Sequence, residues 1–372
     1  MTRTLADLQR DPATNSDPVA SQLPLEVQQV RMFDTPEFAG MRFLEVETKS
    51  ALNRVRGMPF EWSVNPYRGC SHACAYCFAR PTHTYLNLSP LGDFEKTVVV
   101  KTNVAEVLDR ELARPSWNGA HVALGTNTDP YQRAEGRYGL MPRIIAAFVR
   151  ARTPFSVLTK GTLIQRDRDA LVEAHERVGA TAALSIGMLD DAAAREVEPG
   201  TPSPRARLDV VARLNEAGIP TGVMLAPILP FIADDREQLA ALVDAAAAAG
   251  ATHITPVVLH LRPGVREAFW PWLEATHPEL VGRYASLYAR GSEAARAYRE
   301  EVLGFVAERR RAAWARHGRA ATPVQWRGRP SAEASQEQAT AEESGPPADP
   351  TAGDPPDVAE PAAAGTQLSL LE

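Results

Sequence analysis

The chain has 372 residues, enough for one large domain or two ordinary ones, and 44% of them are hydrophobic, as is typical of a globular protein. No apolar run approaches the roughly 20 residues of a membrane span, and the first residues lack a signal-peptide core, so we expect a cytoplasmic protein without membrane contact. Nine acidic residues and no Lys or Arg lie in residues 331–372, so the formal charge of −6 divides into an acidic tail and a mildly basic remainder of +3.

Short apolar strands alternate with amphipathic helices through the middle of the chain. The predicted strands are Phe60–Pro66, Lys96–Lys101, His121–Leu124, Phe155–Leu158, Ala182–Ile186, Thr221–Ala226 and His253–Leu259. The predicted helices are Val104–Leu112, Met141–Arg152, Arg168–Val178, Arg205–Ala217 and Asp235–Ala249. This alternation predicts an α/β fold with a parallel sheet. The number of units favours a partial, TIM-like (β/α)6 barrel over an eightfold one, and a doubly wound open sheet is the alternative on pattern alone.

The segments around this core, which we assign to residues 59–262, differ from it in composition. Residues 1–22 are polar and predicted to be disordered, and residues 23–58 form an N-terminal extension. Residues 263–327 are predicted to be helical, whereas residues 328–372 are rich in Pro, Ala, Glu, Ser and Gly and are predicted to form a disordered acidic tail. Arginines interleaved with tryptophans precede that tail, and they suit either nucleic acid or a solvated helix face. They are Arg309, Arg310, Arg311, Arg316, Arg319, Arg327 and Arg329, with Trp314 and Trp326.

All three cysteines of the chain, Cys70, Cys74 and Cys77, lie in one short loop after the first predicted strand. Three thiolates can hold three irons of a cubane cluster that usually takes four cysteines, which leaves one iron open to bind another molecule. The alternative is a structural zinc knuckle with His72 or His83 as fourth ligand, although zinc knuckles favour a second, distant pair of ligands that this sequence lacks. Because the loop follows a strand of a parallel sheet, we expect it on the face formed by the carboxyl ends of the strands.

Polar residues follow several of the other predicted strands. The loop 125–132 is rich in residues that favour turns and helix caps, so it has a structural interpretation beside a functional one. Lys160 ends the next strand, as either a solvated cation or a ligand for an anion, and Ser185 ends the strand after it. Arg205 and Arg207 lie in the first turn of a helix, where the macrodipole disfavours cations. A role for one of them in anion binding is therefore a hypothesis beside ordinary surface exposure.

The C-x3-C-x2-C spacing, with an aromatic residue before the last cysteine, resembles the radical S-adenosylmethionine (radical SAM) superfamily. The resemblance implies a [4Fe-4S] cluster on the three cysteines, whose open iron binds SAM. It implies that an electron from the cluster cleaves SAM to a 5′-deoxyadenosyl radical, which abstracts hydrogen from a substrate. It also implies an electron donor such as flavodoxin or ferredoxin. Candidate SAM-binding residues are Tyr76 near the adenine, Thr126, Asn127 and Asp129 near the amino group and ribose, Lys160 at the methionyl carboxylate, and Ser185.

Five strings within residues 49–260 together resemble an actinobacterial subfamily related to spore photoproduct lyase. They are NPYRGCSHACAYCFARPTH, GTNTDPYQ, LTKG, SIGMLD and EPGTPSPRARL. The chain departs from the subfamily at Gly161, where relatives often have serine, and at Phe231, where glycine is usual. With all three cysteines used as ligands, no thiol is left for an auxiliary cluster. No thiol is left to return a hydrogen atom to a substrate radical either, whereas spore photoproduct lyase uses a thiol for that step. Strict identity with the lyase is therefore not expected, and a tyrosine such as Tyr131, or the cofactor, would have to return the hydrogen.

The segment Gln367–Leu371 is a compact apolar group near the end of the tail. It resembles the short motif by which bacterial DNA polymerases and repair proteins bind the sliding clamp, and the alternatives are a tail end that packs on the barrel, or chance. Taken together, the sequence predicts a radical SAM enzyme, lyase-like or oxidoreductase-like, with unassigned catalytic residues and a substrate for which nucleic acid is one candidate. The hypothesis from a different class is a nucleic-acid-binding protein with a structural metal site.

Overall fold

The computed structural model describes residues 23–317, which form strands of two sheets surrounded by helices. The strands are β1 (Val27–Arg31), β2 (Arg42–Val46), β3 (Leu52–Arg54), β4 (Trp62–Val64), β5 (Tyr67–Arg68), β6 (Thr97–Lys101), β7 (Val122–Leu124), β8 (Phe155–Thr159), β9 (Thr181–Ser185), β10 (Thr221–Ile228) and β11 (Ile254–Val258). The helices are α1 (Val104–Leu112), α2 (Glu135–Tyr138), α3 (Leu140–Arg150), α4 (Arg168–Val178), α5 (Asp191–Val197), α6 (Pro204–Glu216), α7 (Arg236–Ala248), α8 (Arg266–Thr276), α9 (Val281–Leu287) and α10 (Arg296–Arg316). Short 3-10 helices occupy Pro36–Phe38, Arg80–Leu86, Thr162–Asp167 and Pro278–Leu280.

Six parallel strands form the body of the larger sheet, in the order β4-β7-β8-β9-β10-β11. Strand β3 adds an antiparallel edge beside β4. Along the described strands this order follows the chain without the reversal that defines a doubly wound sheet. The expected α/β fold with six parallel strands, as in a partial (β/α)6 barrel, is therefore confirmed, and the doubly wound alternative is wrong.

The smaller sheet has the order β1-β2-β6-β5 and corrects one expectation from the sequence. The predicted strand Lys96–Lys101 is present as β6, but it pairs with β2 and β5 and not with the strands of the barrel. Its side chains are buried on both faces: Val98 and Val100 belong to the main core, whereas Val99 packs in a second core with Leu44 and Leu86. A strand buried on both faces reads as a continuous apolar run, which does not identify the sheet that it joins.

The predicted C-terminal helical region is present as α8, α9 and α10. Helix α10 uses its arginines to pack against α7 and β11: Arg309 Nε lies 3.0 Å and Arg316 Nη2 2.5 Å from Asp244 Oδ1, and Arg310 Nη1 donates to Ile254 O at 2.7 Å. These three arginines therefore contact the protein itself, and Trp314 beside them is buried. Other members of the predicted arginine group lie outside the described residues, namely Arg319, Arg327 and Arg329, with Trp326.

Two expectations from the sequence concern residues beyond the described range. Residues 1–22 and the acidic tail 328–372, with its Gln367–Leu371 motif, lie outside the described residues. Between residues 23 and 317, no helix has both the length and the apolar character needed to cross a membrane.

Candidate functional site

The cysteine loop begins directly after the carboxyl end of β4 and passes through β5, as expected. Cys70 and Cys74 are buried, and Cys77 is partly exposed. Gly69 precedes the first cysteine with φ +86°, and a Cβ there would lie 2.7 Å from Thr97 O, so only glycine fits. Between β5 and the 3-10 helix Arg80–Leu86 the loop has no regular secondary structure, so its shape depends on bonds from other parts of the chain.

Two buried side chains hold the backbone of this loop. The amide of Gln132 brackets Cys70, because its Nε2 donates to Gly69 O and its Oε1 accepts from Ser71 N, both at 2.9 Å. Arg80 brackets the second cysteine by donating to Ala73 O at 3.3 Å and Cys74 O at 3.1 Å. Neither Gln132 nor Arg80 was predicted to be a site residue, although both lie within the quoted motif strings.

The end of α5 and the segment that follows it brace the loop from the opposite side. Ala75 N donates to Val197 O and Gly200 N donates to His72 O, both at 3.0 Å. The approach at Gly200 is very close, since a Cβ there would lie 2.0 Å from Ser71 O. The EPG sequence at 198–200 thus includes a glycine that the cysteine loop requires.

The carboxylate of Asp129, a candidate SAM ligand, is bonded to other residues of the protein. It lies 3.4 Å from His72 Nδ1 and accepts hydrogen bonds from Lys160 N at 2.6 Å and Thr159 Oγ1 at 2.5 Å. Burial alone would raise the pKa of Asp129, but His72 and these donors lower it below its usual value. Asp129 therefore links the cysteine loop to the end of β8.

Two other candidates from the same loop have different surroundings. The side chains of Thr126 and Asn127 are partly buried and make no hydrogen bond within residues 23–317. They are therefore free to bind a ligand, unlike the neighbouring carboxylate.

A buried polar network unites Tyr76, Lys160 and Ser185 with Glu198 and Arg207. Lys160 Nζ donates to Ser185 Oγ at 2.5 Å, lies 3.7 Å from Glu198 Oε1 and stands 5.7 Å from the centre of the Tyr76 ring. The Tyr76 hydroxyl donates to Glu198. Arg207 Nη2 lies 2.8 Å from Glu198 Oε2, and Arg207 Nη1 donates to Ser185 O at 2.8 Å. The network lies at the carboxyl ends of β8 and β9, beside the cysteine loop.

The opposite charges of this network meet at Glu198. Burial alone would raise the pKa of Glu198, but the positive charges of Lys160 and Arg207 lower it to about 2. One carboxylate faces two cations, so the network carries a net positive charge that suits an anionic ligand at the lysine, which is the more exposed cation. Arg207 is buried and paired, which resolves the conflict with the macrodipole seen in the sequence, whereas Arg205 is exposed.

The three thiols fit the donor set of a cluster. Burial raises the pKa of Cys74 well above its usual value and that of Cys77 to about 11, so without metal both are protonated at neutral pH. Metal binding would deprotonate them and release protons. Within the described range, no three His, Cys, Asp or Glu side chains converge closely enough to share a single metal ion. In a cubane each cysteine binds a different iron, so three thiols need not converge on one point.

Of the two departures from the subfamily pattern, only that at Gly161 has a steric explanation. A Cβ at Gly161 would lie 2.2 Å from Tyr131 O, so the backbone leaves no room for serine. Phe231 has φ +64°, a conformation that favours glycine, and its ring is covered by Arg283 at 3.7 Å and by Tyr284. Tyr131 is 1% exposed within the main core, so the structure gives no support to it as a hydrogen donor to a bound substrate.

Comparison with known proteins identifies a family for this chain. Residues 64–243 match the radical SAM superfamily. The uncharacterized protein Rv2578c of Mycobacterium tuberculosis is 53% identical over 281 residues, which cover 75% of this chain and 83% of that protein. The uncharacterized protein MJ0683 of Methanocaldococcus jannaschii is 26% identical over 195 residues, which cover 52% of this chain and 70% of that protein.

Solved structures add a likeness in fold. Spore photoproduct lyase complexed with dinucleoside spore photoproduct superposes with a TM-score of 0.56 at 14% identity, covering 73% of this chain and 79% of that chain. A variant of the same lyase with bound AdoMet and dinucleoside spore photoproduct gives the same values. From the cysteine loop, the parallel strands, the matched family and the 53% identical relative, the chain belongs to the radical SAM superfamily of enzymes.

Proposed function

We propose that Cys70, Cys74 and Cys77 hold a [4Fe-4S] cluster and that the enzyme cleaves SAM reductively to start radical chemistry on a substrate. The observation that carries the proposal is the position of the cysteine loop, which is braced at the carboxyl ends of the strands beside a cationic network. When bound, the cluster and SAM would supply the electron transfer and the 5′-deoxyadenosyl radical. The protein then has to bind, orient and enclose these groups.

We assign the methionyl carboxylate of SAM to Lys160. Its ammonium group is held by Ser185 Oγ and Glu198, so it is already oriented before a ligand arrives. Arg207 shares the carboxylate of Glu198, which leaves the lysine with less than a full counter-charge. An incoming carboxylate would complete that pairing in a site from which water is largely excluded, where such a contact is strong.

The remaining candidates would contact other parts of SAM. Thr126 and Asn127 have free polar side chains at the end of β7, which supports a role at the amino group and ribose. The buried ring of Tyr76 supports a contact with the adenine, since its hydroxyl is fixed by Glu198. Asp129 contributes by fixing His72 and the end of β8, and we no longer assign it a direct contact with SAM.

For the substrate we propose nucleic acid, in a repair-like reaction. Spore photoproduct lyase, whose fold this chain shares, has been solved with a dinucleoside spore photoproduct. The three thiols would all bind iron, so none of them could return a hydrogen atom to the substrate radical, and a group other than a thiol would have to do so. We further propose a cytoplasmic location, flavodoxin or ferredoxin as electron donor, and clamp docking through Gln367–Leu371.

The experiment is anaerobic reconstitution, followed by iron and sulfide analysis and by assay of 5′-deoxyadenosine with and without reductant. We expect about four irons and four sulfides per chain, as a [4Fe-4S] cluster requires, and reductant-dependent product. Lys160→Met should retain iron but raise the KM for SAM, whereas Lys49→Met, at an exposed position outside the network, should match the wild type. A protein that holds one zinc, has no labile sulfide and forms no product would replace this proposal with the nucleic-acid-binding alternative.

A further inference from the structure

Arg68 and Lys101 lie on the same face of the smaller sheet without an acidic partner. In the antiparallel pair of β5 and β6, Arg68 is directly opposite Val99, and Lys101 is two residues further along β6. Residues two apart in a strand share a face, so Lys101 is the diagonal neighbour of Arg68. This face packs with the second core, opposite to the face of Val98 and Val100, and is therefore separate from the network around Glu198.

The two cations are desolvated without a carboxylate partner, and burial lowers the pKa of Arg68 although the nearby Tyr85 opposes this. Both side chains are partly buried, and neither makes a hydrogen bond or ion pair within the described chain. Burial and the neighbouring charge of Arg68 lower the pKa of Lys101 to about 8, with no carboxylate opposing them. A pair of like charges without a counter-ion is unfavourable for folding. Unfavourable local features of this kind are expected mainly at functional sites.

Further unpartnered groups lie around the pair. Thr97 shares the face of Val99 and Lys101 on β6, and its buried Oγ1 has no hydrogen-bond partner among residues 23–317. His83 is fully buried, its Nε2 lies 3.0 Å from Thr97 O, and its Nδ1 likewise has no partner there. Tyr85, two residues further on, is 54% exposed although it is aromatic.

We propose that Arg68 and Lys101 bind a phosphate group of a single-stranded nucleic acid, with the Tyr85 ring available to stack on a base. The planar guanidinium of arginine matches phosphate oxygens, and the ammonium of lysine adds a second positive charge. Cations beside an exposed aromatic ring are typical of single-strand binding. Arg68 is two residues before Cys70, so a bound strand would pass beside the cysteine loop. The site gives the proposed substrate class a place to bind, but binding itself requires neither the cluster nor SAM.

The test is fluorescence anisotropy of the full-length, anaerobically reconstituted protein with a labelled single-stranded oligonucleotide over a range of salt concentrations. Arg68→Gln/Lys101→Gln should weaken binding about tenfold or more, as expected for lost hydrogen bonds to a charged group. The slope of log K against log salt should fall by about 0.7, because the pair neutralises one phosphate and each single-strand phosphate contact contributes about 0.7. Arg168→Gln/Arg177→Gln removes the same charge from exposed positions on α4 and should bind like the wild type.

A second variant separates binding from misfolding. Lys101→Met keeps the apolar stem and removes a charge that has no partner, so its Tm should equal or exceed that of the wild type. A lower Tm would overturn the claim that the charge is uncompensated. Equal binding of the oligonucleotide by the wild type and the Arg68→Gln/Lys101→Gln protein would overturn the proposed ligand. A wild-type protein that binds inorganic phosphate but does not bind the oligonucleotide would overturn it as well. Formation of 5′-deoxyadenosine by the wild type without oligonucleotide tests the proposed function independently.

Discussion

Replacing Gly200 by alanine should displace the cysteine loop while leaving every proposed metal ligand in place. The new Cβ would lie 2.0 Å from Ser71 O and 2.8 Å from His72 Cα, whereas real Cβ contacts essentially never fall below 3.0 Å. The backbone on one side must therefore move by about 1 Å. Both sides are constrained, because Gly200 N donates to His72 O and Gln132 holds Ser71 N.

The size of the effect follows from this overlap. Overpacking in a well-packed interior costs about 1–3 kcal/mol, so the fold should survive with a lower Tm. A displacement of about 1 Å at a reacting centre can lower the rate about a hundredfold. We therefore expect Gly200→Ala to remain folded, to incorporate less iron, and to form 5′-deoxyadenosine about a hundred times more slowly.

The assay combines iron and sulfide content, the EPR signal of the reduced protein, and the rate of 5′-deoxyadenosine formation. The matched control is Gly304→Ala in α10, where an added Cβ meets nothing within 4 Å. Alanine is the better helix former by about 1 kcal/mol, so this variant should be as stable as the wild type or more stable. If Gly200→Ala retained the iron content and rate of the control, the close packing of 200 against the cysteine loop would have no functional importance.

Three further predictions concern the cysteine loop, the buried network and the C-terminal helix. Cys74→Ala should lose iron incorporation and 5′-deoxyadenosine formation together, and a variant that kept both would remove Cys74 from the ligand set. Glu198→Gln leaves Lys160 and Arg207 facing each other unpaired, so the free energy of unfolding at pH 7 should fall by about 3–5 kcal/mol in urea titrations. The folded-state pKa of Glu198 is about 2, below its ordinary 4.5. The stabilisation by this carboxylate is therefore present above about pH 4.5, is lost as the pH falls towards 2, and amounts to about 3 kcal/mol. Over that pH range the Glu198→Gln protein should lose correspondingly less stability than the wild type. Asp244→Asn weakens partly exposed ion pairs of α10 and should lower the free energy of unfolding by about 1 kcal/mol. Hydrogen exchange should then be faster in α10 and unchanged in α4.

Local patterns in the sequence identified the strands β4 and β6 to β11 and the cysteine loop, whereas β1, β2, β3 and β5 were not predicted. The strands β7 to β11 and the helices α3, α4, α6 and α7 follow from apolar periodicity, because each is a short buried segment bounded by turn residues, whereas the short helices α2 and α5 were not predicted. The same periodicity could not assign β6 to its sheet, since the apolar run of Val98, Val99 and Val100 is buried on both faces whichever strand it joins. Pairing between β2 and β6 joins segments separated by about fifty residues, and such partners are not encoded in either segment alone.

The candidate site was only partly predictable for a similar reason. Lys160 and Ser185 could be found because they end strands of a parallel sheet, and the structure joins them by a hydrogen bond. Glu198 carries no local signal, since its partners Tyr76, Lys160 and Arg207 come from different parts of the chain. The one usable hint was the cation in the first turn of α6, which implied a nearby negative charge but did not identify it.

The bonds that fix the cysteine loop also bear on the order of events during protein synthesis. The thiols leave the ribosome well before Gln132, Val197 and Gly200, which hold the loop backbone in the finished fold. A nascent chain that ends before residue 200 therefore presents three cysteines on an unbraced loop, free to bind stray metal ions or to oxidise. Assembly of the proposed iron–sulfur cluster would then follow completion of α5 and its docking on the loop. A carrier that delivers preformed clusters would best recognise the folded barrel and not the emerging cysteine sequence.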